Sequence, residues 1–261
     1  MKNYFIYMLY TKLFHNNIEK LLAEIINLII VKKRQKITLI DIGAFRGMYS
    51  EKINLFLKKK LFTNLNFYLV DPNPNFKKYL QNLTFKYNYD NVAIKNNKNI
   101  PLLSASAPFY INNQFEGSGS SLKSLFSKNK YYTFSRRLFF LSFRPLYRVI
   151  MVRLLTLNQF FKKNKINNFT VLKIDAEGSE LDILESGHKY LNKGKVISIE
   201  ISALKKNYTR KYDKIAKLLF KHGFVIFKSF PIIEGSIFTN LKLCDCIFVK
   251  KKYFKFLNSI F

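Results

Sequence analysis

Two carboxylates near the middle of the chain have the residue types and spacing for acid–base chemistry. Asp175 and Glu177 lie in the segment KIDAEGSE, directly after the apolar run 169–172, and Gly178 permits a sharp turn beside them. An apolar run of this length predicts a buried strand, and open α/β sheets bind their ligands at the carboxyl ends of strands. The chain has only 16 carboxylates against 45 lysines and arginines, so this concentration of acids marks a candidate catalytic base.

The neighbouring charges have several possible roles. Glu180, Asp182 and Glu185 follow on the first turns of a predicted helix, where the helix dipole favours acids, and we expect them to be solvated. Lys173 shares the strand face of Asp175, so it could hold that carboxylate ionised or bind an acceptor oxygen. It could equally be a buried cation paired with Glu200. Mg²⁺ is a further possibility, with oxygen ligands from Asp175, Glu177 and Glu200.

A glycine loop forms the second candidate site. Asp41 ends an apolar run, and Gly43 and Gly47 follow in the segment DIGAFRG, where glycine lets the backbone pass close to a ligand. The spacing differs from the dinucleotide-binding and P-loop patterns, so a neutral or cationic ligand suits it better than a phosphate. Asp71 ends the next apolar run and could accept from both hydroxyls of a ribose. A tight turn would explain either motif alone, but together they favour an adenosyl cofactor.

The elements that must position these residues alternate along the chain. A doubly wound α/β sheet is the architecture that this alternation predicts, and the last two strands, with no helix between them, predict an antiparallel edge hairpin. The predicted strands are Ile37–Ile42, Asn66–Val70, Asn91–Ile94, Val149–Leu155, one ending at Asp175, Val196–Ile201, Phe224–Phe230 and Leu243–Lys250, with a short β-excursion at Pro108–Ile111. The predicted helices are Met48–Lys60, one ending near Asn82, Thr156–Phe161, one running to about Leu191, and Asn207–Lys221.

The domain boundaries follow from these elements. We predict one domain over residues 37–250, preceded by a helical extension (1–36) and followed by a basic tail (251–261). In the extension, residues 18–31 have helical apolar spacing, which indicates a helix packed on the sheet edge or, alternatively, a membrane anchor. No run of about 18 apolar residues predicts a transmembrane helix, and no signal-peptide cleavage site follows the first apolar run. We therefore expect a cytoplasmic protein, with peripheral membrane contact as an option.

The cysteines and histidines exclude two classes of site. Cys244 and Cys246 would share a strand face about 7 Å apart, too far for an unstrained disulfide, which agrees with a reducing compartment. With only two cysteines and three scattered histidines, we expect no zinc site.

The net charge of +29 is dominated by lysine, as in proteins encoded by AT-rich genes, and by itself does not indicate nucleic acid. Arginine is more specific because it binds carboxylate and phosphate in bidentate fashion. Five of the eight arginines lie within eighteen residues in a basic-aromatic insertion, at about 122–155. If Pro145 begins a helix there, Arg144 and Arg148 share a face. The cluster could hold an anionic acceptor, rest on an anionic membrane, or be a solvated surface; its members are Arg136, Arg137, Arg144, Arg148 and Arg153.

A set of motifs, in order along most of the chain, resembles the FkbM family of S-adenosylmethionine-dependent methyltransferases. The most specific of them has the pattern K-x-D-x-E-G-x-E. The motifs are DIGAFRGMYS, YLVDPNPNF, NVAI, LTLNQF, KIDAEGSELDILESG and ISIEI. The resemblance implies a seven-stranded class I methyltransferase fold, S-adenosylmethionine as cofactor, and O-methylation of hydroxyls on sugars, glycans or related small molecules.

By the same resemblance, Asp41, Gly43 and Gly47 would cradle the methionine part of the cofactor, Asp71 its ribose, and Asn91 to Ala93 its adenine edge. The chain departs from the family at Asn158, where the motif has an acid. Asparagine caps a helix as well as aspartate does, but it cannot exchange a proton.

An alcohol is a poor nucleophile, and none of the matched motifs contains a histidine that could activate it. We expect His188, in the predicted helix after KIDAEGSE, to be a surface or packing residue. We therefore predict Asp175 as the general base, with Glu177 second and Lys173 as its partner. Two alternatives to a small-molecule or glycan methyltransferase remain: a nucleic-acid methyltransferase, and a binding module without activity. The chain has no N-P-P-Y/F segment or catalytic cysteine pair of the base-methylating kind, and its acids are intact.

Overall fold

The structure is a computed structural model. It describes residues 18–30, 35–59, 62, 64–96, 105–112, 147–234 and 241–261.

The main sheet has seven strands in the order β3-β2-β1-β7-β8-β10-β9. Every strand except β10 runs in the same direction, and β10 lies antiparallel between β8 and β9. This confirms the doubly wound sheet with an antiparallel edge hairpin. The strands are β1 Ile37–Ile42, β2 Leu65–Val70, β3 Tyr87–Asp90, β7 Phe169–Ile174, β8 Gly194–Leu204, β9 Phe224–Glu234 and β10 Leu241–Lys250.

A smaller sheet corrects two sequence predictions. Its strands are β4 Ala93–Ile94, β5 Ser106–Asn112 and β6 Tyr147–Leu155, in the order β4-β6-β5. The apolar segment predicted as the third main strand, Asn91–Ile94, therefore belongs in part to this second sheet. The third main strand is β3, which has no apolar run because it is a half-buried edge strand.

Arg148 is the second correction. It lies on β6, opposite Ile111 of β5, and is not on a helix begun by Pro145. The β-branched residues Val149, Ile150 and Val152 favour an extended strand over a helix at this point. Arg136, Arg137, Arg144 and Pro145 lie outside the described residues.

Seven helices surround the sheet in the described ranges. The helix after β7 ends at Glu185 and does not reach Leu191, because Ser186 caps it and the following Gly187 packs closely on Leu157. The helices are α1 (18–29), α2 Met48–Lys59, α3 Lys77–Leu80, α4 Leu157–Lys163, α5 Glu180–Glu185, α6 Lys205–Lys221 and α7 Lys251–Asn258. Helices follow β1, β2, β7 and β8 of the main sheet, as the sequence predicts, whereas β3 to β6 follow one another with no helix in the described ranges.

Two apolar clusters cover the two faces of the sheet. One contains β-strand residues together with α4, α5 and α6, and the other contains α1, α2 and α7. Leu22, Ile25 and Ile26 of α1 are fully buried against residues such as Leu39 and Val171, so this helix packs on a sheet face and not on the edge. No helix among the described residues is long and apolar enough to cross a membrane.

Cys244 and Cys246 lie on β10 as buried free thiols. Their sulfurs are 3.6 Å apart, closer than the 7 Å expected from the strand rise, because the two side chains lean towards each other on one face.

Candidate active site

The loop after β1 has three residues with left-handed backbone angles, and two of them are glycines. Gly43, Phe45 and Gly47 all have positive φ angles, of 81°, 51° and 76°. A Cβ atom on Gly43 would lie 1.8 Å from the backbone oxygen of Asp175, so the loop and the end of β7 are in direct backbone contact. This contact brings the two candidate sites found in the sequence together at one edge of the sheet.

An ion-pair cluster joins β1 to β7. Asp41 and Lys173 are paired in register on these adjacent strands, and Lys173 Nζ lies 3.4 Å from Asp41 Oδ1. The same nitrogen lies 3.2 Å from Asp175 Oδ2 and 3.5 Å from the Gly43 carbonyl oxygen. Among the described contacts, Lys173 therefore pairs with Asp41 and Asp175, and the alternative pairing with Glu200 is wrong.

Exposure differs sharply among these three side chains. Asp41 is fully buried, and its Oδ2 accepts a hydrogen bond of 2.7 Å from Ser50 Oγ. Lys173 is 11% exposed, whereas 35% of the Asp175 side chain is accessible. Only Asp175 of the three thus presents much of its polar end to solvent, and the other two position it.

Lys173 is a stable cation in this setting. Burial acts to lower its pKa, but the charges of Asp175 and Asp41 outweigh burial and raise the pKa above its ordinary value. The Tyr49 ring lies 5.0 Å from Lys173 Nζ, and its hydroxyl contacts Ser198 Oγ at 3.2 Å. Burial raises the pKa of Tyr49, so it remains a neutral phenol.

Asp71 links the loops after β1 and β2. Its Oδ2 accepts from the Phe45 amide at 2.9 Å, and its Oδ1 accepts from the Asn73 amide at 2.8 Å. The side chain is almost completely buried, and burial raises the pKa of Asp71 to about 7 against the lowering effect of these two amides. Each oxygen retains a second lone-pair direction for a further donor.

Asn91 lies beside Asp71 and Ala93 lies further along. Asn91 is exposed, and its Nδ2 donates to the Asp71 carbonyl at 2.8 Å. Ala93 is buried in β4, where it pairs with Leu154. Of the two residues predicted at the adenine edge, Asn91 therefore lies next to the predicted ribose acid and is accessible, whereas Ala93 is buried in the second sheet.

The turn after β7 contains Glu177 and leads to a buried acid. Glu177 is half-buried and has a positive φ of 44°, so it forms part of the turn itself. Glu180, expected to be solvated, is fully buried and forms an ion pair with Lys211 of α6. Its Oε1 also accepts from the Gly178 amide at 2.7 Å, so its role is to anchor the turn. The expectation was wrong because Lys211 is distant in sequence.

Two further acids lie near Asp175. Glu200 of β8 and Asp245 of β10 are paired in register. Burial, followed by the charge of Asp175, raises the pKa of both carboxyls, that of Asp245 to about 8. Asp245 therefore favours the protonated form near neutral pH. The described residues contain no group of three His, Cys, Asp or Glu side chains that could hold a metal ion.

Asn158 does not cap the helix on which it lies. That role belongs to Thr156, which forms a reciprocal capping box with Gln159. Asn158 Oδ1 instead accepts from the Lys189 amide at 3.3 Å, and its Nδ2 contacts the exposed His188 ring at 3.4 Å. The asparagine thus ties α4 to the turn after α5.

Several residues of this site were not singled out from the sequence. They are Tyr49, Ser50, Asn73, Ser198 and Asp245. Asn73 had a signal in its position within YLVDPNPNF, two residues after Asp71. Tyr49 and Ser50 likewise lie in DIGAFRGMYS, whereas the places of Ser198 and Asp245 depend on strand register, which the sequence pattern does not encode.

The sequence profile described as the methyltransferase FkbM domain matches residues 41–226. No curated protein matched the sequence.

Similarity to solved structures is distant in sequence. TYW2 from M. jannaschii, in complex with AdoMet, has 10% identity and a TM-score of 0.40, over 90% of this chain and 75% of that one. N-methyltransferase NodS from Bradyrhizobium japonicum WM9 has 7% identity and a TM-score of 0.40, and the match covers 91% of this chain and 96% of NodS. The plantazolicin methyltransferase BpumL, in complex with SAH, has 12% identity and a TM-score of 0.39, and the match covers 93% of this chain and 88% of BpumL.

The profile match covers most of the chain and includes the glycine loop, Asp71 and the Lys173–Asp175 pair. The strand order of the main sheet agrees with the class I methyltransferase fold that the sequence motifs imply. The chain belongs to the FkbM family of S-adenosylmethionine-dependent methyltransferases.

Proposed function

We propose that this methyltransferase transfers a methyl group to a hydroxyl of a sugar, a glycan or a related small molecule. One observation carries the proposal: Asp175 presents an accessible carboxylate directly beside the glycine loop. A hydroxyl acceptor needs a base that removes its proton as it reacts, and a partly exposed carboxylate held by a lysine can serve as one.

The residues at the ends of β1 and β2 fit S-adenosylmethionine. Asp71 has one lone-pair direction free on each oxygen, which suits the two hydroxyls of a ribose. Asn73 is fully buried, and its Nδ2 has no hydrogen-bond partner, so it offers a donor beside Asp71. The glycine loop is the part of the site that would hold the methionine part, and the bound cofactor would supply an electrophilic methyl group on a sulfonium.

Asp175 is the general base of the proposed reaction, and Lys173 and Asp41 position it. Asp175 accepts the proton of the acceptor hydroxyl as the oxygen forms its new bond. Lys173 orients this carboxylate through a contact of 3.2 Å, while Asp41 holds Lys173 from the other side. Glu177, on the adjacent turn, is the second candidate for the base.

We further propose that the acceptor carries a negative charge. Arg148 and Arg153 are both exposed on β6, and Leu154 beside Arg153 pairs with Ala93 at the predicted adenine edge. Arginine favours carboxylate and phosphate groups because its planar donors match their geometry. These residues support an acidic or phosphate-bearing sugar over a neutral one.

The test is a panel of acceptors incubated with methyl-labelled S-adenosylmethionine. Neutral sugars, acidic sugars, sugar phosphates, amines and RNA oligonucleotides are compared, and the products are treated with alkali. We expect alkali-stable methyl ethers on hydroxyls, with the highest kcat/KM for anionic sugars and a raised KM in Arg153→Gln. Transfer to amines or RNA alone would contradict the proposal, and equal KM values for neutral and anionic sugars would contradict its anionic part.

A further inference from the structure

Two thiols lie side by side on β10, one of the central strands of the main sheet. Cys244 and Cys246 share one face of the strand, because Asp245 between them faces the other side. Their sulfur atoms are 3.6 Å apart. The chain contains no other cysteine, so any thiol chemistry of this protein belongs to this pair.

The backbone of β10 brings the pair to the limit at which a disulfide can form. Residues two apart on an antiparallel strand have Cα atoms about 6.8 Å apart, the upper end of the range that a disulfide spans. The strand is irregular here, because its pairing with β9 shifts register between Leu243 and Cys244. The sulfurs therefore need only a small movement to bond. A bond at this limit is strained and easily reduced.

Hydrogen-bonding groups surround the two sulfurs. Ser229 Oγ of β9 lies 3.6 Å from Cys246 Sγ, and the Tyr208 hydroxyl of α6 donates to Cys244. The Lys242 ammonium lies 4.9 Å from the centre of the Tyr208 ring. The hydrogen bond from Cys246, followed by the one from Tyr208, lowers the pKa of the Cys244 thiol to about 7 against the effect of burial. A cysteine buried in apolar surroundings is inert, and this setting differs from that one.

The two thiols are not equivalent. Cys244 retains 6% exposure, whereas Cys246 is fully buried. The thiolate is the nucleophilic form of cysteine, and the neighbours of Cys244 favour it. Cys244 is therefore the cysteine that a small oxidant meets first, and Cys246 lies where it can attack the oxidised sulfur.

We propose that Cys244 and Cys246 form a reversible disulfide when the protein meets hydrogen peroxide. The Cys244 thiolate attacks one peroxide oxygen, the O–O bond breaks, and the leaving hydroxide takes the proton that the Cys244 thiol released. Cys246 then attacks the sulfur of the resulting sulfenic acid, whose hydroxyl leaves as water with the Cys246 proton. The two thiols lose two electrons in all, and the peroxide is reduced to two waters. A reducing thiol reverses the bond by exchange.

The test treats the reduced full chain with hydrogen peroxide, alkylates the remaining thiols and digests the chain with trypsin. Cleavage after Lys242 and Lys250 releases both cysteines on one peptide for mass spectrometry. We expect this peptide without alkylation and lighter by two hydrogen atoms, and doubly alkylated when dithiothreitol precedes alkylation. Two alkylated cysteines after peroxide would overturn the proposal. Sulfinic or sulfonic acids in place of the disulfide, or disulfide-linked dimers, would overturn it equally.

Serine variants separate the two roles. In Cys246→Ser the reaction should stop at the sulfenic acid of Cys244, which dimedone labels. In Cys244→Ser, dimedone should label Cys246 much less, because this thiol is fully buried. Stronger labelling of Cys246 than of Cys244 would contradict the order of the two steps. The measurement on the unchanged chain does not depend on the folding of either variant.

Two tyrosines of α6 provide a matched pair of variants. Tyr208→Phe removes the donor to Cys244 and should slow disulfide formation about two- to tenfold. The Tyr212 hydroxyl instead contacts Ser229 and Cys246, so Tyr212→Phe should leave the rate nearly unchanged. Equal rates in both variants and in the unchanged chain would contradict the activation of Cys244 by its neighbours.

Discussion

Lys173 is the residue on which the geometry of the candidate active site depends. It contacts Asp41 and Asp175, and it lies over the ring of Tyr49. A lysine so deeply buried is stable as a cation only because these carboxylates surround it. Asp175 is the exposed member of the group, so it is the carboxylate that an acceptor can reach.

Replacing Asp175 by asparagine tests its role as the base. Asp175→Asn keeps the size of the side chain but cannot take a proton, so turnover should fall by ~10²–10⁴-fold. Affinity for S-adenosylhomocysteine, measured by calorimetry, should stay nearly constant. Glu177→Gln is the matched control on the adjacent turn and should lower turnover much less. Full turnover in both variants would show that neither carboxylate acts as the base.

Asp71 gives cofactor binding a pH dependence. With a pKa of about 7 in the free protein, Asp71 is protonated at lower pH, whereas ribose hydroxyls donate best to its ionised form. The affinity for the cofactor is therefore highest above the pKa of Asp71 and decreases as the pH falls through it. S-adenosylhomocysteine should bind about tenfold more weakly at pH 6 than at pH 8, with proton release on binding. Calorimetry in two buffers measures both, and an equally steep profile in Asp71→Asn would exclude Asp71 as the cause.

The sequence predicted part of this site, and for a clear physical reason. Asp175 and Lys173 are two residues apart on a strand, so their shared face follows from the strand period. The contact between Lys173 and Asp41 depends instead on which strands are neighbours and in what register. Glu180 was misread for the same reason, because its partner Lys211 is distant in the sequence.

At the scale of elements, the candidate site is built from the loops and turns that follow β1, β2 and β7. The loop after β1 is fixed to β2 through the Phe45 amide and Asp71, and to β7 through the close contact of Gly43 with Asp175. The turn after β7 is fixed to α6 through Glu180 and Lys211. Turns that are fixed in this way hold the reacting groups in position. Much of the rate enhancement of a displacement reaction comes from such positioning.

Gly43 and Gly223 allow the effect of a left-handed backbone angle to be measured separately from the effect of a close backbone contact. Gly43 and Gly223 have φ angles of 81° and 77°, but a Cβ on Gly223 would meet only Lys250 Nζ, at 3.7 Å. Gly223→Ala should lower the free energy of unfolding by about 1 kcal/mol and leave cofactor affinity unchanged. Gly43→Ala should lower the stability further and weaken S-adenosylhomocysteine binding. Urea denaturation and calorimetry measure the two effects, and equal losses in both variants would contradict the contact with Asp175.

The ion pair between Glu180 and Lys211 should be important for stability. Glu180 is fully buried, so Lys211→Met would leave its carboxylate without a cationic partner and cost about 3–5 kcal/mol in the free energy of unfolding. Urea denaturation measures this loss. Lys217→Met is a matched control, because Lys217 lies on the exposed side of the same helix. A loss of less than about 1 kcal/mol in Lys211→Met would show that Glu180 is satisfied without the lysine.

At the scale of the whole molecule, the strand order brings together residues far apart in the sequence. β1 lies between β2 and β7, so the ends of these three strands meet at one edge, with Asp71, the glycine loop and Asp175 side by side. The alternation of strands and helices was enough to predict the class of fold. The second sheet was not predicted as a unit, because the pairing of the two-residue strand β4 with β6 leaves no periodic signal.

The central claim is that the cofactor and the base meet at this edge of the sheet. A crystal structure with bound S-adenosylhomocysteine tests it most directly. We predict that the ribose hydroxyls donate to both oxygens of Asp71, and that the sulfur faces the Asp175 carboxylate across an open space for the acceptor. A sulfur separated from Asp175 by protein atoms, or a ribose held elsewhere than at Asp71, would contradict the account.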